Sequence, residues 1–385
     1  MYNFDIVPDR KGTYSYKWDS DKNALPMWVA DMDFETAPEV KSAIVKRAEH
    51  GVFGYTYAPD ELFSAVSDFW YRRHGFRFDT EYMVYSSGVV AAISSLVRRL
   101  THPGESVLIQ APVYNIFYNS ILNSGRRVVS NDLVRTDGGY EIDFADLEEK
   151  LSSPMTRLFI LCNPHNPVGK VFTKDELCRI GTLCKKYGVT VISDEIHCEF
   201  TRPKRSYTPF ASASDDCYEI SVTLLSLSKA FNIAGLCSAF AVVKNPALRH
   251  QVYRTLNNDE VGEPNAFAVC ANLAALTEGE AWLDAMLDYV NENKRIATEY
   301  IAKEIPRLSA DNSEATYLLW VDISSLGMDS VSFTKELREK GGLYVCDGLE
   351  YGECGRYFIR INLATSRERV LRGLSLLRDF VDKIN

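Results

Sequence analysis

Lys229 closes the run VTLLSLSK, an apolar stretch ending in small hydroxyl residues and followed by FNIAG rather than by the charges of a solvated helix face. Most lysines are surface charges. Desolvation at this position disfavours the ammonium form and leaves a neutral amine that is nucleophilic toward an aldehyde, the requirement for a Schiff-base lysine. Asp194 ends VTVISD in the same manner. A carboxylate there either caps a following helix or pairs with the positive ring nitrogen of a bound cofactor, which turns that ring into an electron sink. A third polar group, Asn163-Pro164-His165-Asn166-Pro167-Val168-Gly169, follows RLFILC. Arg360 lies inside the apolar segment YFIRINLA, where an unpaired guanidinium is costly, so a carboxylate partner is expected. A buried salt bridge within the protein would meet that need.

The elements that position these residues follow from hydrophobic patterning. SVLIQAP (106–112), RLFILCNP (157–164), VTVISDEI (189–196), VTLLSLSK (222–229) and SAFAVVK (238–244) are short, rich in Val, Ile, Leu and Phe, and bounded by turn residues. Near-continuous apolarity predicts strands covered on both faces, hence an α/β fold with a mainly parallel sheet. KDELCRIGTLCKKYG (174–188) places Leu177, Ile180, Leu183 and Cys184 at helical spacing, and Gly188 closes it as a crossover helix. Ligands in such sheets gather at the carboxyl ends of strands, so three reactive strand ends imply one shared cleft. From about 283 the pattern changes to a long amphipathic helix, then strand-like TYLLWVDI and YFIRINLA, and a final helix running to Asn385. The expected division is a large domain over 45–283 and a small α+β domain built from 1–44 and 284–385.

Composition narrows the function. The chain has 385 residues, 46% hydrophobic, enough for one large core and a smaller one. A net charge of -9 with interspersed signs offers no basic stripe for nucleic acid or an anionic membrane. The opening MYNFDIVPDRKGTYSYKW does not read as a secretory signal, and no apolar run is long enough to span a bilayer. Nine scattered cysteines without a C-x-x-C pair fit reduced thiols in the cytoplasm, and Cys162 and Cys270 read as small hydrophobes in apolar strings.

Taken together, N-P-x-N-P-x-G at Asn163–Gly169, D-E-I at Asp194, S-L-S-K at Ser226–Lys229 and F-I-R-I-N at Phe358–Asn362, which holds Arg360, resemble the fold-type-I pyridoxal-phosphate (PLP) enzymes, the class I/II aminotransferase superfamily. The spacings, 28 residues from Asn166 to Asp194 and 35 from Asp194 to Lys229, follow the family pattern. Within that superfamily, LPMWVADMDF (25–34), GYT (54–56) and DEIH (194–197) resemble the MalY/PatB-type cystathionine β-lyases, or C–S lyases.

The resemblance implies a large domain with a seven-stranded sheet between helices and a bound pyridoxal 5'-phosphate. It implies that Lys229 holds the cofactor as a Schiff base and shuttles a proton, that Asp194 partners the pyridine nitrogen, and that Asn166 donates to the ring oxygen. Tyr114 would stack on the ring and assist catalysis, unless it is a core tyrosine. Gly88, Val89 and Val90 would cup the phosphate, although a glycine before a helix is by itself only a tight turn. Ser226 and Ser228 would add hydroxyls, His197 would join the cofactor contacts, and Tyr55 would reach the phosphate from a neighbouring subunit, making the protein an obligate homodimer. Arg360 would hold the substrate's α-carboxylate, with Asn166 and Trp28 also facing the substrate. The implied reaction is β-elimination of L-cystathionine or a related S-substituted L-cysteine to pyruvate, ammonia and a thiol. An aminotransferase using the same residues is the alternative, and some relatives of this type also restrain a transcription activator, so a regulatory protein partner is a third reading.

Overall fold

The computed structural model describes residues 2–137, 139–202, 206–311 and 313–384. Its centre is a seven-stranded sheet ordered Met83–Ser86, Ala239–Val242, Ser221–Leu225, Thr190–Asp194, Thr156–Cys162, Ser106–Ile109 and Arg127–Ser130. Neighbours from Ser221–Leu225 to Arg127–Ser130 run parallel, whereas Ala239–Val242 is antiparallel to both of its neighbours. The five apolar runs are thus all strands of one sheet, and Ser221–Leu225 is buried along its entire length, as strands covered on both faces must be.

The crossover helix Lys174–Tyr187 begins at a capping box, in which Thr173 and Glu176 satisfy each other's backbone N–H groups. It ends at Gly188, whose φ of +67° is the left-handed conformation that a residue with a Cβ rarely adopts. Leu177, Ile180 and Cys184 on its inner face are fully buried.

A second, four-stranded antiparallel sheet is ordered Ser309–Ala310, Leu318–Asp322, Phe358–Asn362 and Cys346–Asp347, and the 25-residue helix Glu280–Glu304 leads into it. From the N-terminal part of the chain, Leu25–Pro26 pairs in parallel with Leu343–Tyr344. The final helix, expected to reach Asn385, covers Arg367–Val381. Beyond it the chain tightens into i→i−3 bonds from Lys383 to Phe380 and from Ile384 to Val381, and Asn385 lies outside the described residues. Among the described residues no helix is long and apolar enough to cross a membrane.

Candidate active site

The carboxyl ends of Thr156–Cys162, Thr190–Asp194 and Ser221–Leu225 open into one cavity of about 460 Å³. Parallel pairing sets the ends side by side, with Cys162 opposite Asp194 and Asp194 opposite Leu224. Trp28, Gly88, Val89, Val90, Tyr114, Asn166, Asp194, His197, Ser226, Ser228, Lys229 and Arg360 all line this cavity. Of the residues to which the resemblance gives a part in binding or catalysis, Tyr55 alone does not. It lies fully exposed on the outside of the chain, in a groove with Tyr57 and Tyr253.

Lys229 is half-buried, and its amine donates a short hydrogen bond to the carbonyl oxygen of Ala30. Burial lowers its pKa to about 8 from an ordinary lysine value, an effect that Arg360 reinforces and that Asp31 and Asp194 oppose. The neutral amine therefore accumulates as pH rises through about 8. Capture of a small aldehyde by the cofactor-free protein, followed by borohydride trapping on Lys229, is expected to climb up to that pH and level off above it. Continued climb toward the range of a solvated lysine would contradict the desolvated setting.

Asp194 is pushed the other way, up to about 6, chiefly by burial, while the Ile196 N–H and Lys229 pull it down. It accepts a 3.2 Å bond from Ile196 N, but a turn follows rather than a helix, so it is not a helix cap. Among the described residues its second oxygen accepts no hydrogen bond. His197, three residues on, is buried, and burial together with Lys229 and Arg360 holds it well below the usual histidine range. It is a neutral imidazole whose Nδ1 has no hydrogen-bond partner among the described residues.

Arg360, only 4% exposed, donates to Asn166 Oδ1 at 3.1 Å, to the Trp28 carbonyl at 3.0 Å and to Cys346 Sγ at 3.3 Å, and its guanidinium lies 4.9 Å from the Tyr351 ring centroid. No acid of the described residues pairs with it, and its Nε has no partner, so the buried salt bridge considered from sequence is absent. A buried cation answered only by neutral acceptors is able to pair with an incoming carboxylate. Asn166, whose Oδ1 serves Arg360, keeps its amide N–H groups for a ligand.

Tyr114 precedes the helix Asn115–Leu122 and meets Phe117 edge to face at 5.7 Å, and burial raises its hydroxyl to about 12. Also lining the cavity, the helix Val89–Leu100 begins after Gly88, whose φ of +122° demands glycine. The free N–H groups of this helix start form an anion cup. Ser226 and Ser228 stand beside it with their hydroxyls 3.0 Å apart. Trp28 stacks on Tyr344 at 4.6 Å and leans on Tyr16 at 5.0 Å, forming an aromatic wall.

Sequence reasoning missed Tyr16, Ala30, Cys346, Glu350 and Tyr351, which also line the cavity. Cys162 was read as a plain hydrophobe. It faces the cavity, and its sulfur accepts from the Asn166 N–H at 3.4 Å. No local pattern marks these residues, because loops distant in sequence deliver most of them.

An amine held partly neutral, a buried carboxylate, an anion cup and an unanswered guanidinium are the donors and acceptors that PLP and an amino acid require, so the residues present fit both. Over 382 residues the chain is 40% identical to cystathionine β-lyase PatB of Bacillus subtilis, covering 98% of this chain and 99% of that protein. Cystalysin of Treponema denticola, whose structure contains pyridoxal 5'-phosphate, superposes with a TM-score of 0.95 at 30% identity over 100% of both chains. A PLP-bound C–S lyase of Staphylococcus hominis, complexed with the inhibitor L-cycloserine, superposes with a TM-score of 0.93 at 34% identity over 99% of this chain and 98% of that one. The model of the class I and II aminotransferases matches residues 23–376, and the chain belongs to that family.

Proposed function

We propose that this protein is a PLP-dependent C–S β-lyase that cleaves L-cystathionine or a related S-substituted L-cysteine. The observation that carries the reading is the pairing, across one cavity, of a partly neutral Lys229 amine with an Arg360 guanidinium that no protein acid answers. When bound, PLP holds the substrate amine and delocalises the electron pair released at Cα. Lys229 would hold the cofactor covalently at rest, Asp194 would keep its ring nitrogen protonated, and the Gly88–Val90 turn with Ser226 and Ser228 would receive its phosphate. Asn166 and His197, which line the same cavity, would contact it.

The chain's own residues then act on the substrate. Arg360 fixes the α-carboxylate and Trp28 walls the side of the sulfur substituent. The Lys229 amine takes the proton from Cα: an N–H bond forms, the C–H bond breaks, and the pair left behind forms the Cα–Cβ double bond as the Cβ–S bond releases a thiolate. Tyr114, whose hydroxyl burial raises to about 12 and so keeps protonated at neutral pH, lines the cavity and can donate a hydrogen bond to that thiolate as it leaves. Hydrolysis of the released enamine gives pyruvate and ammonia.

An aminotransferase would use the same residues. The lyase reading is favoured by full-length likeness to a cystathionine β-lyase and to C–S lyase structures. L-cystathionine supplied without any keto acid is expected to give sustained pyruvate and free thiol, whereas a single stoichiometric turnover that stops until a keto acid is added would make the protein an aminotransferase. Arg360→Lys, which retains charge but loses the bidentate fork, is expected to lower kcat/KM by about 10²-fold, mostly through KM. Steady-state kinetics check this, and an unchanged KM would remove Arg360 from the carboxylate site.

The full exposure of Tyr55 within one chain supports a homodimer in which each Tyr55 serves the other subunit's phosphate cup. Nine free cysteines support a reducing, cytoplasmic setting. The pairing of Leu25–Pro26 with Leu343–Tyr344 supports a small domain built from 1–44 and 284–385 against a large one at 45–283.

A further inference from the structure

The carbonyl of Ala30 receives two donors: the Lys229 amine and, at 2.9 Å, the hydroxyl of Tyr317. A carbonyl oxygen has two lone pairs, so these donors fill it. Ala30 lines the cavity, but Tyr317 does not, and its side chain is fully buried. Its ring packs edge to face on Phe200 at 4.8 Å and beside His197 at 5.9 Å.

The surroundings hold this arrangement rigidly. Asn362, the last residue of Phe358–Asn362, donates from one amide nitrogen to the carbonyls on either side of Ala30, those of Val29 at 2.5 Å and Asp31 at 2.6 Å. Leu318, the residue after Tyr317, pairs with Asn362 in the four-stranded sheet, so both anchors of the Ala30 peptide come from adjacent strand ends. Thr316, just before Tyr317, has a φ of +65°, a left-handed conformation that is costly for a β-branched residue. The buried Lys294 amine bonds the Ala315 and Thr316 carbonyls at 2.7 and 3.0 Å, and the Thr316 N–H bonds the Phe200 carbonyl at 2.7 Å. A strained turn clamped on both sides thus aims a single hydroxyl at one backbone oxygen.

We propose that Tyr317 is a positioning residue for proton transfer, fixing the Ala30 carbonyl as the acceptor that orients Lys229 whenever its amine is free. This inference rests on Lys229 being the base of the proposed reaction. Once displaced from the cofactor, the amine donates one N–H to Ala30, which directs its lone pair back into the cavity toward Cα. After the Cα–H bond breaks and the proton joins nitrogen, the same oxygen solvates the ammonium and keeps it from drifting. Tyr317 exchanges no proton. It holds the oxygen that holds the base.

The test compares wild-type holoenzyme with Tyr317→Phe, which keeps the ring and its contact with Phe200 and removes only the hydroxyl. Visible absorbance, kcat, KM and the kinetic isotope effect of Cα-deuterated L-cystathionine are measured on both. The expected variant keeps the visible cofactor band and has KM within about threefold of wild type, while kcat falls about 10- to 100-fold because the base is misaligned. Its isotope effect is at least as large as that of wild type. Unchanged kcat overturns the proposal, as does loss of the band, a proportional rise in KM or a smaller isotope effect, each of which puts Tyr317 to a different use. Absence of the band and of turnover in wild type would instead remove the lyase reading itself.

Discussion

Lys229→Ala is expected to abolish turnover of S-substituted L-cysteines, with a fall of at least about 10⁴-fold, because in the proposed mechanism one side chain supplies both the covalent hold on the cofactor and the base at Cα. The substitution should leave the fold intact. It removes a group whose charged form burial already disfavours, from a side chain that faces a cavity rather than filling a core. Added methylamine is expected to restore a small part of the rate by replacing the missing base, and circular dichroism should match wild type. Turnover within about tenfold of wild type would mean that another group performs the proton transfer.

Asp194→Asn has the second largest expected effect. The change is nearly isosteric at a position 4% exposed, so packing is retained while the negative charge is lost. Removing one partner from a buried charge pair costs about 3–5 kcal/mol, which corresponds to a kcat lower by about 10²- to 5 × 10³-fold if the partner is the cofactor's ring nitrogen. Cofactor retention should weaken in parallel, read as loss of the visible band on dilution or dialysis. Wild-type kcat in the variant would show that Asp194 serves only its bond to the Ile196 N–H.

Much of this site was legible in the sequence because the fold delivers reactive side chains at strand ends. Asn166, Asp194 and Lys229 each follow an apolar run, and parallel pairing then forces those ends together. Gly188 closing the crossover helix and Gly88 opening the helix at the anion cup were visible for a different reason, since left-handed or otherwise unusual backbone selects glycine.

What escaped belongs to residues whose importance is non-local. Ala30 contributes a backbone oxygen, which no residue type advertises. Cys346 and Tyr351 acquire meaning only by lying against Arg360, and Tyr317 only because a strained turn at Thr316 aims it at that oxygen. The expected acid partner of Arg360 followed from burial alone; the structure answers the guanidinium with an amide, a carbonyl and a thiol, and the acid is the part that the proposed function assigns to the substrate.

The central claim, that the Lys229 amine holds an aldehyde cofactor covalently, is tested most directly by reducing the purified protein with borohydride and sequencing its peptides by mass spectrometry. The reduced phosphopyridoxyl group is predicted on Lys229, with the visible band lost in step. A group found on another lysine, or on none, would contradict the account.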